Sequence, residues 1–96
     1  MKNDEYPDFI TEGDDCSLTV TLARGIEIDG VKKMSLTLRE PAVADMLAAD
    51  KAAKGQSAMS EVILLANLAE VAPENIQSAK MRDYGRLQTA LVFMNG

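Results

Sequence analysis

The stretch from Ile26 to Pro41, Ile-Glu-Ile-Asp-Gly-Val-Lys-Lys-Met-Ser-Leu-Thr-Leu-Arg-Glu-Pro, constrains the fold of this chain more than any other. Asp29-Gly30 stands between two runs in which apolar and polar residues alternate. A type I′ hairpin needs positive φ at both central positions, and Asp-Gly supplies them at little cost. Before the turn, Leu18, Val20 and Leu22 alternate with Ser17, Thr19 and Thr21, and the pattern resumes at Ile26 and Ile28. After it, Met34, Leu36 and Leu38 alternate with Lys33, Ser35 and Thr37. A period of two gives each strand one apolar face. Arg24-Gly25 interrupts the first strand and marks a bulge or a kink. A lone hairpin is marginal in water, so its apolar face needs a cover.

The rest of the chain supplies helices. Pro41 suits the first helical position, because the N–H it lacks has no partner there, and Glu40 then lies beside the positive end of the helix. Val43, Met46, Leu47 and Ala53 form the expected inward stripe of this first helix, with Gly55 as its stop. A second helix runs from Ser57 or Ser60 to about Val71, with Met59, Val62, Ile63, Leu65, Ala66, Leu68 and Ala69 leaving little polar surface. Apolar residues around most of a helix mean burial on several sides, either as a central core helix or at an interface. Pro73 opens a short helical stub anchored by Ile76. A third long helix follows, from Ser78 or Lys80 to Phe93, with Tyr84, Leu87, Leu91 and Met94 as its stripe. Gly85 lowers helix propensity by about 1 kcal/mol relative to Ala, which close approach of another backbone would explain. The expected fold class is α+β: an N-terminal antiparallel β-hairpin packed against about three C-terminal α-helices, a single ββααα domain over residues 16–96.

Residues 1–15 read differently. They carry six acids against Lys2, whereas the remainder balances nine acids with nine bases. With only Tyr6, Phe9 and Ile10 as large apolar side chains and Pro7 among them, this segment is expected to be a flexible, disordered acidic tail.

The chemistry that would make an enzyme is missing. The chain has no histidine, the commonest general base and metal ligand. The single Cys16 has no internal disulfide partner, and its neighbours Asp14 and Asp15 work against a thiolate nucleophile. Asp45 and Asp50, five apart, do not share a helix face as a paired acid would. Glycine-rich phosphate loops and a basic patch for nucleic acid are absent, and no apolar run approaches the roughly 20 residues of a membrane span. No cofactor or metal is expected, and a binding or structural role is left.

The ordered pieces Leu22–Gly30, Leu36–Pro41, Asp45–Ala49, Leu64–Leu68 and Arg82–Gln88 resemble the small tail assembly chaperones of contractile-tailed, Mu-like phages and prophages. The resemblance covers about residues 17–94, and its weight lies in the ordered set. One departure is Arg24-Gly25, where such proteins often carry a proline before the isoleucine. The resemblance implies a non-enzymatic protein of the bacterial host cytoplasm. It would bind the long helical tape measure protein, keep it soluble and hand it to tail tube proteins. It also implies that a second, longer form arises by ribosomal frameshifting, with this chain a candidate for the short form.

Helix-on-helix docking is the natural mode for such a client. The apolar excess of the second helix therefore nominates Leu64, Leu65, Leu68, Leu87, Leu91 and Phe93 as a surface for the client or for a second copy of the chain. Asp29 and Gly30 serve the turn, and Arg39, Glu40 and Pro41 the strand-to-helix junction. Asp83 is expected to cap or pair near the start of the third helix, with Arg39 as a candidate partner. Tyr84 is expected in the core with its hydroxyl at the edge. The competing reading is a small acidic inhibitor or adaptor acting through residues 1–15.

Overall fold

The computed structural model describes residues 6–95. Three strands, β1 (Ile10–Glu12), β2 (Leu18–Ile28) and β3 (Val31–Leu38), form an antiparallel sheet in the order β1-β2-β3. Four helices follow: α1 (Val43–Ala52), α2 (Ser57–Ala69), the short α3 (Pro73–Gln77) and α4 (Met81–Met94). The α+β class expected from the sequence holds, with one strand more than the hairpin supplied.

The hairpin turns at Asp29 and Gly30, whose φ angles of 53° and 79° are the left-handed pair a type I′ turn requires. Leu18, Val20, Leu22, Ile26, Leu36 and Leu38 are buried on one side of the sheet. Opposite them, the hydroxyls of Thr19 and Thr37 meet at 2.9 Å as a cross-strand pair. The core closes when α2 contributes Leu65, Ala66 and Leu68, α3 contributes Ile76, and α4 contributes Leu87, Ala90 and Leu91. The apolar excess of α2 is thereby used inside the molecule. It packs on β3, α1 and α3 at once.

Arg24-Gly25 does mark a bulge, and a large one. From Thr21 to Ile26 the β2 chain takes five steps while its partner moves only from Ser35 to Lys33. Gly25 carries φ +86°, and a Cβ there would lie 2.7 Å from the Met34 sulfur and 3.0 Å from the Lys33 carbonyl oxygen. Glycine is required at this point by both conformation and space.

Two expectations are corrected. The acidic segment is not a free tail over the described residues, because Ile10–Glu12 pair with Val20–Leu18 as β1. Ile10 is buried, the Tyr6 ring meets Phe93 edge-on at 4.9 Å, and the Arg86 guanidinium lies 4.7 Å over the Phe9 ring. The three apolar side chains of the segment find partners, which offsets the entropy of ordering it. The part of the expected tail before Tyr6 lies outside the described residues.

The second correction concerns α1. It starts at Val43, not at Pro41, with Ala42 extended as its N-cap residue. Its Val43, Met46 and Leu47 face outward, Ala49 is buried in their place, and Ala53, at the C-cap, is buried as expected. At 100° per residue Val43 and Leu47 stand about 120° and 160° around the helix from Ala49, and Met46, 48% exposed, lies at the edge between the two directions. Small alanines let α1 lie close on α2, and the larger side chains are left in solvent.

Candidate functional site

Three polar junctions tie the helices to the sheet and to one another. In the first, Asp83 in the first turn of α4 is fully buried. Its Oδ1 accepts the Ala23 N–H at 2.5 Å, and its Oδ2 accepts the Arg24 and Gly25 N–H groups at 2.9 Å each. These donors belong to the bulge of β2, whose extra residues have lost their ladder partners. Burial would raise the Asp83 carboxyl, but the three N–H donors and the nearby Arg86 charge hold it below its ordinary value. Arg86 also donates from Nη1 to the Thr21 carbonyl at 2.8 Å, a second tie between α4 and the same strand. The expected pairing of Asp83 with Arg39 is not found, because bulge amides occupy the carboxylate on both oxygens.

Arg39 is engaged elsewhere. Its two terminal nitrogens donate to the two Asp45 oxygens at 2.9 and 2.8 Å, and Asp45 Oδ2 also accepts the Ala42 N–H at 2.8 Å. The Arg39 hydrogen bonds and the Ala42 N–H lower the Asp45 carboxyl to about 2. One carboxylate thus caps the first turn of α1 and clamps it to the end of β3. This explains why the helix starts after Pro41, while Glu40 remains exposed and outside the clamp. The Arg39 N–H itself donates to the Leu68 carbonyl at 3.1 Å, satisfying one of the free carbonyls at the end of α2.

In the third junction the Tyr84 hydroxyl donates to Glu61 Oε1 at 2.6 Å, and Gln88 Nε2 donates to the same oxygen at 2.9 Å. Burial and the Glu61 carboxylate push the Tyr84 phenol well above its usual value. A side chain held as a protonated donor to a carboxylate is a tie between α2 and α4, not a proton shuttle. Cys16 is exposed, beside Glu12 and Glu40 at a shallow cavity of about 170 Å³. Among the described residues no group of His, Cys, Asp or Glu is placed to hold a metal ion.

The nominated docking residues do not form a surface. Leu65, Leu68, Leu87 and Leu91 are buried in the core, and Leu64 and Phe93 are half-buried against it. The exposure expected of these leucines is corrected by the sheet, whose apolar face they cover. The apolar surface lies instead on α1, where Val43, Met46 and Leu47 are 70%, 48% and 59% exposed. They stand at i, i+3 and i+4, the spacing of one helix face and of helix-to-helix anchors. Periodicity had marked these residues as apolar-faced; only the side they face was missed.

A small sheet tied to its helices through the carboxylates of Asp83 and Asp45, with an exposed apolar face on α1, is the arrangement of a small α+β module with a surface for docking. Residues 19–96 match the family described as phage tail assembly chaperone proteins, E, or 41 or 14, and the chain belongs to that family, which is non-catalytic. No curated protein and no solved structure matches it. No helix among the described residues is long and apolar enough to cross a membrane.

Proposed function

We propose that this protein binds the tape measure protein of a phage or prophage tail and keeps it soluble in the bacterial host cytoplasm until tail tube proteins assemble around it. The observation that carries this reading is the outward α1 face of Val43, Met46 and Leu47 on a member of the tail assembly chaperone family. Full burial of a large apolar side chain is worth about 1.5–3 kcal/mol, and a partner covering this face gains the share, about half or more, that each of the three still exposes. A long helical client with apolar stripes is a partner of matching chemistry.

Co-expression with the tape measure gene tests the reading. Leu47→Asp combined with Met46→Asp should leave the fold intact, since both positions are exposed, and should move the client into the insoluble fraction. Glu27→Lys, an exposed change on β2, serves as the control. A client that stays equally soluble with the double variant places the docking surface elsewhere, and a client indifferent to the wild-type protein removes the function.

A further inference from the structure

We propose that a second copy of this chain docks on the outward stripe of α4 formed by Met81, Gly85, Gln88 and Val92, with the two α4 helices side by side and parallel, in closest approach at Gly85. These residues stand at i, i+4, i+7 and i+11 and fall on one side of the helix. Asp83, Leu87, Ala90 and Leu91 occupy the opposite, buried side. Met81 and Val92 are 77% and 69% exposed, and Gln88 is exposed between them.

Gly85 is the observation that the monomer does not explain. Its backbone is helical, with no positive φ to require glycine. A Cβ built on it would meet nothing within 4 Å. The contact it makes is through its carbonyl, which accepts the Thr89 hydroxyl at 3.0 Å and would do so from any residue. A glycine inside a helix is disfavoured relative to alanine, and the usual compensation is the close approach of another backbone.

Charge selects the occupant. Glu61 borders the stripe on one side, reached by Tyr84 and Gln88. Arg82, which is exposed, borders it on the other. A two-fold axis running along the paired helices brings the Arg82 side of one copy to the Glu61 side of its partner, and by symmetry does so twice. An antiparallel pair would set arginine side against arginine side, which repels. The face is small. Fourteen residues make a helix about 21 Å long, and one stripe of it falls well below the ~800 Å² per partner of a stable dimer. The pairing is therefore weak, reversible and sensitive to salt.

Sedimentation velocity over a range from about 10 µM to 1 mM reads the pairing directly. The expected result is a monomer–dimer equilibrium that weakens with added salt. Gly85→Leu and Arg82→Glu should each raise the dissociation constant at least about tenfold. Gly85→Ala should separate the two roles of the position, raising the melting temperature of the monomer while weakening the dimer. Val92→Asp provides a second disruption if Gly85→Leu fails to fold. A monomer throughout that range overturns the proposal, as does a dimer indifferent to Gly85→Leu and Arg82→Glu. Variants that lose client solubility with self-association unchanged would assign the stripe to the client and also overturn it.

Discussion

At the scale of single residues, Asp83 is the buried charge that joins α4 to the bulge of β2. Its carboxylate gathers three amides that the β2 bulge has released, so removing it leaves all three without their acceptor in a half-buried site. An unsatisfied buried donor costs about 1–3 kcal/mol. Asp83→Ala is therefore expected to destabilise the fold by at least about 3 kcal/mol in urea unfolding at pH 7. Asp83→Asn keeps the shape but turns one acceptor into a donor facing a donor, and should fall between wild type and alanine. The pH dependence has a definite sign. The folded carboxyl sits below its unfolded value, so its contribution is present above about pH 4 and is lost as pH falls through the folded value. The gap between wild type and Asp83→Asn should be constant from neutral pH to about pH 5 and should narrow below about pH 4. A gap that persists unchanged at pH 2 would mean that the charge of Asp83 contributes nothing.

Gly25 completes that lock from the strand side. Gly25→Ala must hold an L side chain at φ +86° with a Cβ against the Met34 sulfur and the Lys33 carbonyl, and should lower stability by about 1–3 kcal/mol. Gly85→Ala should do the opposite and raise monomer stability by up to about 1 kcal/mol, since its Cβ enters open space. The two substitutions are chemically identical, and a thermal melt of each that gave the same sign would contradict the difference in their surroundings.

At the scale of elements, the Arg39–Asp45 clamp decides where α1 sits. Asp45→Ala removes the Ala42 cap and both Arg39 contacts, whereas Arg39→Ala leaves the cap in place. Amide exchange across Val43–Ala52 should therefore accelerate more in Asp45→Ala than in Arg39→Ala, with β2 little changed. Acid acts on the same clamp, and its contribution should persist to lower pH than that of an ordinary aspartate, fading as pH falls through about 2. The elements also show what a sequence can and cannot disclose. The Asp29-Gly30 hairpin is written in a two-residue signal and an alternation of period two, both local. The facing of α1 is not, because an alanine surface packs closely against a neighbour and period alone does not say which side of the helix goes in. The Asp83 contact is not local either, since its amide partners lie 58 to 60 residues earlier in the chain. The pieces that carried the family resemblance prove to be ends of contacts: Asp83 belongs to one and the Gly25 bulge to another, as do Asp45 and Arg39.

At the scale of the whole molecule, the acidic N-terminal segment decides between two readings of the protein. A solvating or adaptor tail would contribute no stability, and its removal would abolish only the activity it carries. In the structure Tyr6, Phe9 and Ile10 rest on α4 and β2, and β1 widens the sheet to three strands. Deleting residues 1–5 is expected to leave the melting temperature within about 2 °C of wild type, the effect of a change below about 0.5 kcal/mol in a domain of this size. Deleting residues 1–12 removes a buried isoleucine, two half-buried rings and a strand. It is expected to cost about 3–5 kcal/mol and to expose Leu18, Val20 and Phe93 to aggregation. Client solubility should follow the stability of each truncation, surviving the first and failing with the second. A 1–12 deletion that melts like wild type would return the segment to the solvent. A 1–5 deletion that stays folded but no longer protects the client would make the first residues part of the binding surface, and the apolar face of α1 would then not be its whole extent.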